Sequence, residues 1–300
     1  MKPEIIIICG PTGSGKSELA LDLAEKINGE IISADSLAVY KKLDIGTAKP
    51  SVDDMKRVKH HLINVCEPWD EFSVSDYERL ALQAVSDIRS RGKMPVICGG
   101  TGFYINSVLY RMSYGNTAKD TITREKYMNM AKTDGVSAVY AVLKEKDPES
   151  ALKIHENDLK RVVRALEIYF ATGEKKSAQS DKEYPRFDYL AVTIGLERQE
   201  LYAKINARVD KMMKRGLVDE VKSLIDSGIT IENQCMQGIG YKEVYNAFEK
   251  NDFENLSETI KINSRHYAKR QITFFKRLPA LTAVTGNSEN KLNDVLKMLG

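Results

Sequence analysis

Four isoleucines in a row, residues 5–8, form a continuous β-branched run. Such a run fits a strand buried on both faces. Leu19, Ala20, Leu23, Ala24 and Ile27 follow at helical spacing, so the texture turns from strand to amphipathic helix. Residues 30–34 make a second short apolar strand, 61–65 a third and 94–98 a fourth. Between them Ser51 and Asp54 have the spacing of a capping box opening a short helix. Ser73 or Ser75 caps a longer one through Arg89, with Leu80, Ala81, Ala84, Val85 and Ile88 as its apolar face and Gly92 as its stop. A further helix with Tyr104, Ile105, Val108 and Leu109 departs after Gly102. Strands alternating with helices predict a parallel sheet flanked by helices.

Past residue 111 the pattern changes. No strand period occurs before residue 185, and residues 124–132, 136–144 and 158–171 read as helices, the last opened by Asp158 and ended by Thr172-Gly173. Residues 175–185 are a polar, charged return. The expected organisation is an α/β core made of residues 1–112 and 186–300, interrupted by a mostly helical insertion domain at 113–185. Residues 189–194 resume the strand pattern. A long helix then places Leu201, Ile205, Val209 and Met212 on one face and ends at Gly216, followed by a helix over 218–225. Residues 237–241 read as a loop before another helix. Ser257 is the expected cap of the last long helix, which runs to Arg277; a strand at 280–284 and a helix at 292–299 close the chain.

Composition narrows the class. With 300 residues and 42% hydrophobic positions, a sizeable core is expected, and the formal charge of +3 does not by itself imply nucleic acid. The four cysteines, Cys9, Cys66, Cys98 and Cys235, form no C-x-x-C pair, which argues against a zinc site or disulfide framework and for a reducing compartment. No apolar stretch approaches the roughly 20 residues of a membrane span. The expectation is a cytoplasmic soluble protein with no membrane partner.

Candidate chemistry begins between the first strand and its helix. Gly10, Pro11, Thr12, Gly13, Ser14, Gly15, Lys16 and Ser17 fit the phosphate-binding loop G-x-x-x-x-G-K-[ST]. The glycines let backbone N–H groups turn inward onto anionic oxygens. The helix start adds its positive end, Lys16 adds a cation, and the Ser17 hydroxyl can hold Mg²⁺. The setting, strand then glycine loop then helix, marks a P-loop α/β fold. Asp35 closes the second strand, where ligands of open α/β sheets bind; it reads as a general base or magnesium partner, or as a turn cap. Gly99-Gly100-Thr101 close the fourth strand, where NTPases usually place a magnesium-holding Asp, and carry no carboxylate. Thr101 reads as a substrate contact and a helix cap. Arg208, on the long helix, could clamp phosphate or pair with Asp210. Lys261, Arg265 and Lys269 step by four along the last helix, with Arg270, Lys276 and Arg277 nearby and Tyr267, Phe274 and Phe275 interleaved; this reads as a nucleic-acid stripe or as a solvated face over a core. Lys160, Arg161 and Arg164 form a second cluster, and His60-His61 reads as structural.

Taken together, these blocks resemble the bacterial tRNA dimethylallyltransferases, or tRNA isopentenyltransferases, of the IPP transferase family. The blocks are residues 10–17, Ser33-Ala34-Asp35-Ser36 with Tyr40, residues 44–50, Gly99-Gly100-Thr101 with Tyr104, His155 with Asn157-Asp158 and Arg161, residues 164–167, 238–241 and 269–273. They occur in family order across nearly the whole chain; residues 112–121 match poorly. The resemblance implies transfer of a dimethylallyl group from dimethylallyl diphosphate to the exocyclic amine of the adenosine just 3′ of certain tRNA anticodons, with Mg²⁺, by a monomeric enzyme. The phosphate loop and Arg208 then hold the donor's diphosphate, although the family is often described as ATP-binding. Asp35 takes the amine proton and Thr101 supports the substrate. Asp35, Ser36, Leu37, Ala38, Thr101, Arg124, Lys160, Arg161, Arg164, Gln237, Gly238, Gly240, Tyr241, Lys242, Lys269, Arg270, Gln271 and Lys276 align with tRNA contacts to the anticodon stem-loop. The alternatives are a small-molecule kinase using ATP in the same loop, an isopentenyltransferase acting on free adenine nucleotides, and a non-catalytic RNA-binding protein.

Overall fold

Ile5 through Ile8 are fully buried, each contributing about 2 kcal/mol of apolar transfer, and they form the sheet's inner strand, β1 (Ile5–Cys9). The computed structural model describes residues 2–112, 120–178 and 184–300. Most of the poorly matching segment 112–121, the expected domain boundary at 113, and residues 179–183 of the polar return lie outside the described residues. Along the chain β1 is followed by α1 (Lys16–Lys26), β2 (Gly29–Ala34), α2 (Val52–Arg57), β3 (His60–His61), α3 (Val74–Ser90), β4 (Met94–Gly99) and α4 (Gly102–Leu109). Then come α5 (Thr121–Thr133), α6 (Val136–Lys146), α7 (Pro148–Lys153) and α8 (Leu159–Thr172). The chain returns through β5 (Tyr189–Ile194), α9 (Arg198–Lys214), α10 (Leu217–Asp226), α11 (Tyr241–Lys250), α12 (Leu256–Phe275), β6 (Leu281–Val284) and α13 (Ser288–Leu299).

All six strands are parallel, in the order β3-β2-β4-β1-β5-β6. Residues 189–194 rejoin the sheet beside β1, as their pattern predicts. Register matters most at the carboxyl ends: Cys9 lies level with Gly99, and Gly99 lies level with Ala34. One face of the sheet buries Ile6, Ile8, Val96 and Val192 against Leu19 and Leu23 of α1 and Val295 of α13.

By its internal contacts the chain divides into two units: one holds residues up to Leu109 and from Arg186 onward, the other Tyr110–Pro185. The regular elements among the second unit's described residues are all helices, with Tyr127, Val139, Leu143, Val162 and Leu166 as their core. Its buried Asp147 caps α7 through Ser150 N–H (3.1 Å) and also accepts from Ser177 Oγ (2.6 Å).

Three local expectations change. The strand expected over 61–65 is only His60–His61, because Leu62 (φ 61°) and Asn64 (φ 57°) take left-handed conformations that break a strand. Asn255 caps α12 instead of Ser257, which lies inside its first turn. Helix α7, led by Asp147 and Pro148, was not anticipated in a stretch too short for periodicity to register. No described helix is long and apolar enough to cross a membrane.

His61 proves structural: its Nε2 sits 2.7 Å from Oε2 of Glu30. Glu30 is 1% exposed and also binds Arg91 and Lys93. Arg91, followed by His61 and Lys93, holds its carboxyl well below the usual range despite burial. The depressed native value means this stabilisation is present above the unfolded Glu pKa and lost as pH falls. Glu30→Gln should cost about 2 kcal/mol at neutral pH, the range of hydrogen bonds to charged groups. Chemical denaturation against pH should also show a smaller loss of stability below about pH 4 than in the wild type.

Candidate active site

The register of β1, β4 and β2 brings three loops out of the sheet side by side, with the end of β4 in the middle. On the β1 side, Gly10, Gly13 and Gly15 have φ of 141°, 77° and 92°, conformations that glycine alone adopts without strain. Gly15 is the N-cap of α1 and provides no side-chain cap, which leaves first-turn N–H groups open to an anion. Ser14 Oγ is buried without a partner, a costly state unless an oxygen arrives to accept from it. Lys16 Nζ donates to Pro11 O at 3.2 Å. Burial lowers the Lys16 pKa, with Cys98 and Asp35 opposing and Arg208 reinforcing that shift. Ser17 is exposed at the helix start and its side chain meets the Cys98 thiol.

On the β2 side, Asp35 Oδ1 accepts from Leu37 N–H (2.9 Å) and Ala38 N–H (3.3 Å). Both readings of Asp35 hold at once: one oxygen caps a turn, and the carboxylate borders a cavity of about 440 Å³. Ser36 N–H donates to Thr101 Oγ1 at 3.1 Å, and Thr101 N–H to Ala34 O at 3.0 Å. At the end of β4, a Cβ on Gly99 would stand 2.1 Å from Ala34 O, and one on Gly100 2.2 Å from Gln271 Nε2. Only glycine permits these approaches. Gln271 fastens the frame: its Oε1 accepts from Thr12 N–H (2.8 Å) and its Nε2 donates to Gly100 O (2.9 Å).

Arg208 reaches the same cavity from α9. It does not pair with Asp210, whose carboxylate instead meets Lys261 at 2.8 Å; Arg208 Nη2 donates to Thr47 O at 3.1 Å. Burial lowers its pKa and Asp35 opposes the shift. Lys16, Arg208 and Asp35 thus place two cations and one carboxylate around one cavity. Apolar wall comes from Leu37, Ile205, Val209, Met212 and Ile260.

Of the residues expected at tRNA, Ser36, Leu37, Ala38, Gln237, Gly238, Arg270 and Gln271 line this cavity. Gly238 packs on Leu37, since a Cβ there would lie 2.1 Å from Leu37 Cδ1. Lys242, Lys269, Arg270 and Lys276 are exposed. Two of the expected contacts also hold the fold together. Tyr241 is fully buried with its hydroxyl on Glu220, and Gln271 is 5% exposed and spent on the loop frame. Gly240, at φ 94°, caps α11 and donates its N–H to Glu243. Within the second unit, Arg124 and Arg164 both pair with the buried Glu167, Arg161 pairs with Asp158, and Lys160 is exposed. On α12, Phe275 is buried and Phe274 packs on Phe103 at 5.4 Å, so neither is a free stacking surface.

Sequence reasoning missed several lining or framing groups. Tyr267 lines the cavity and contacts Thr101 and Gln271; burial, with Asp35 adding, pushes its phenol up to about 12, so it remains a donor. The Lys49 side chain is buried, binding Tyr40 O, Asp44 and Asn64. Glu220 holds residues 44–46. The only sequence signal was the polar, Gly/Pro-punctuated loop itself; a Glu in a first helical turn normally just complements the dipole.

The sequence profile described as IPP transferase matches residues 38–278. Among curated proteins, a tRNA dimethylallyltransferase of Caldanaerobacter subterraneus is 45% identical over 282 residues, 92% of this chain and 90% of that one. One from Bacillus cereus is 42% identical over 301 residues, 99% and 95% of the two chains. Among solved structures, a full-length tRNA isopentenylpyrophosphate transferase from Bacillus halodurans superposes with a TM-score of 0.74 at 37% identity, covering 98% of this chain and 95% of that one. A eukaryotic dimethylallyltransferase described as acting on tRNA gives 0.83 at 32% identity, covering 98% and 77%.

Gln271→Leu should therefore destabilise the fold by about 1–3 kcal/mol, because Thr12 N–H and Gly100 O lose their buried partner. Chemical denaturation checks this; unchanged stability with weakened RNA affinity would return Gln271 to a direct RNA contact.

Proposed function

The chain belongs to the IPP transferase family, and from that premise we propose that it is a tRNA dimethylallyltransferase. It moves the dimethylallyl group of dimethylallyl diphosphate onto the exocyclic N6 of the adenosine directly 3′ of the anticodon, as a monomer in the cytoplasm. The observation that carries this reading is the pairing of a phosphate cradle with a carboxylate on either side of β4, whose own end holds none.

The donor's diphosphate fits the loop formed by Gly10, Pro11, Thr12, Gly13, Ser14, Gly15, Lys16 and Ser17. Open N–H groups, the orphaned Ser14 hydroxyl and Lys16 meet its oxygens from one side. Arg208 meets them from α9. The described residues contain no cluster of three His, Cys, Asp or Glu able to hold a metal. The Ser17 hydroxyl, at the start of α1, would hold Mg²⁺ beside the diphosphate. Bound there, Mg²⁺ supplies positive charge to the leaving diphosphate.

As the allylic C–O bond breaks, Lys16 and Arg208 neutralise the charge that develops on the departing diphosphate. The adenine N6 forms the new C–N bond, and its proton passes to Asp35. A carboxylate suffices, because the amine acidifies as it gains the bond. The protonated Tyr267 lines the cavity with Asp35 and can hold the adenine, and Thr101, bonded to Ser36 and in contact with Tyr267, supports it from behind. A base in a folded anticodon loop must leave its stack to enter a cavity of this kind. Exposed Lys242, Lys269, Arg270 and Lys276 suit the phosphate backbone, while the paired Arg124, Arg161 and Arg164 and the exposed Lys160 offer the second unit's basic surface. The apolar wall suits the dimethylallyl tail.

Asp35→Asn separates the two jobs of this residue. The amide oxygen can still accept from Leu37 and Ala38, while the base is gone. Turnover should fall by about 10²–10⁴ with tRNA affinity, measured by filter binding, near wild type. Near-wild-type turnover would sink the assignment of Asp35 as the base.

A further inference from the structure

The loop over residues 44–50 forms one wall of the cavity with Gly46, Thr47, Ala48, Lys49 and Pro50. It is not a regular element, and Ala48 sits at φ 48°, where an alanine is held only by its surroundings. Glu220, in the first turn of α10, supplies that hold. Its Oε2 accepts from Asp44 N–H and Ile45 N–H, both at 2.8 Å, and its Oε1 from Gly46 N–H at 3.1 Å. Tyr241 Oη donates to the same Oε1 at 2.7 Å. The Tyr241 ring lies against Gly46, where a Cβ would come within 2.5 Å of it. One carboxylate thus gathers three consecutive loop amides and a buried phenol, with charge-assisted bonds about twice as strong as neutral ones.

The next residue after the gripped amides is Thr47. Its carbonyl takes the hydrogen bond of Arg208 Nη2, and its hydroxyl is turned back onto Leu43 O at 2.6 Å. We infer that Glu220 is a positioning residue for Arg208: by clamping residues 44–46 it fixes the Thr47 carbonyl that aims the guanidinium at the donor's diphosphate. Glu220 itself touches no substrate. The inference rests on the donor site proposed above.

Binding of inorganic pyrophosphate with Mg²⁺, followed by calorimetry, tests it in a double-mutant cycle of Glu220→Gln and Arg208→Ala. Glu220→Gln should weaken pyrophosphate about tenfold when Arg208 is present and less than about twofold in the Arg208→Ala background, the signature of coupled residues. Equal losses in both backgrounds, or no loss in either, would overturn the role. Should Glu220→Gln lose its cooperative thermal transition, Tyr241→Phe removes one of the four bonds and must show the same dependence on Arg208, at about two- to threefold. A wild-type protein that binds no pyrophosphate overturns the donor-site reading and this inference with it. Additive losses in a protein that does bind it overturn this inference alone.

Discussion

Everything at the site hangs on the parallel register of β1, β4 and β2. Because Cys9, Gly99 and Ala34 stand level, the phosphate loop, the Gly100-Thr101 turn and Asp35 leave the sheet together. Past Cys98, Gly99 and Gly100 put only backbone between the other two loops. Gln271 then locks Thr12 to Gly100 from α12, so the last long helix is fastened directly to the strand ends. Thr101 links the other way, to Ser36. A shift of one residue in either strand pair would separate the cradle from the carboxylate.

That arrangement explains why a phosphate loop here need not serve an ATPase. The nest and the N-terminus of α1 recognise phosphate oxygens and are indifferent to what the phosphate carries. In this chain the β4 end that would hold a metal-binding carboxylate is glycine. The carboxylate stands just past β2, in a cavity lined also by Tyr267 and apolar side chains. A diphosphate that leaves with its charge screened by Lys16 and Arg208, and an amine that loses its proton to Asp35, fit those places. In the function proposed above, the loop is the holder of a leaving group.

Much of this was legible in the residues. The isoleucine run, the glycine spacing and the helical period after Lys16 each depend on local geometry, so sequence spacing registers them. Asp35 was legible because a strand end in a parallel sheet is a defined place. What was not legible depends on contacts far apart in the chain. Glu220 reaches back 176 positions to Asp44, and Gln271 259 positions to Thr12. Nothing in the local sequence separates such residues from a solvated Glu or an RNA-facing Gln. The short β3 failed for the opposite reason: residues 61–65 look like a strand, but left-handed turns at Leu62 and Asn64 leave Asn64 Oδ1 to bind Lys49 at 2.6 Å.

The most direct measurement offers radiolabelled dimethylallyl diphosphate and Mg²⁺ to the protein with tRNA, with AMP, or with no acceptor. The account predicts label in tRNA alone, on the adenosine directly 3′ of the anticodon, with diphosphate released. Label in AMP, or no transfer while labelled ATP passes its phosphate to a small acceptor, would contradict it.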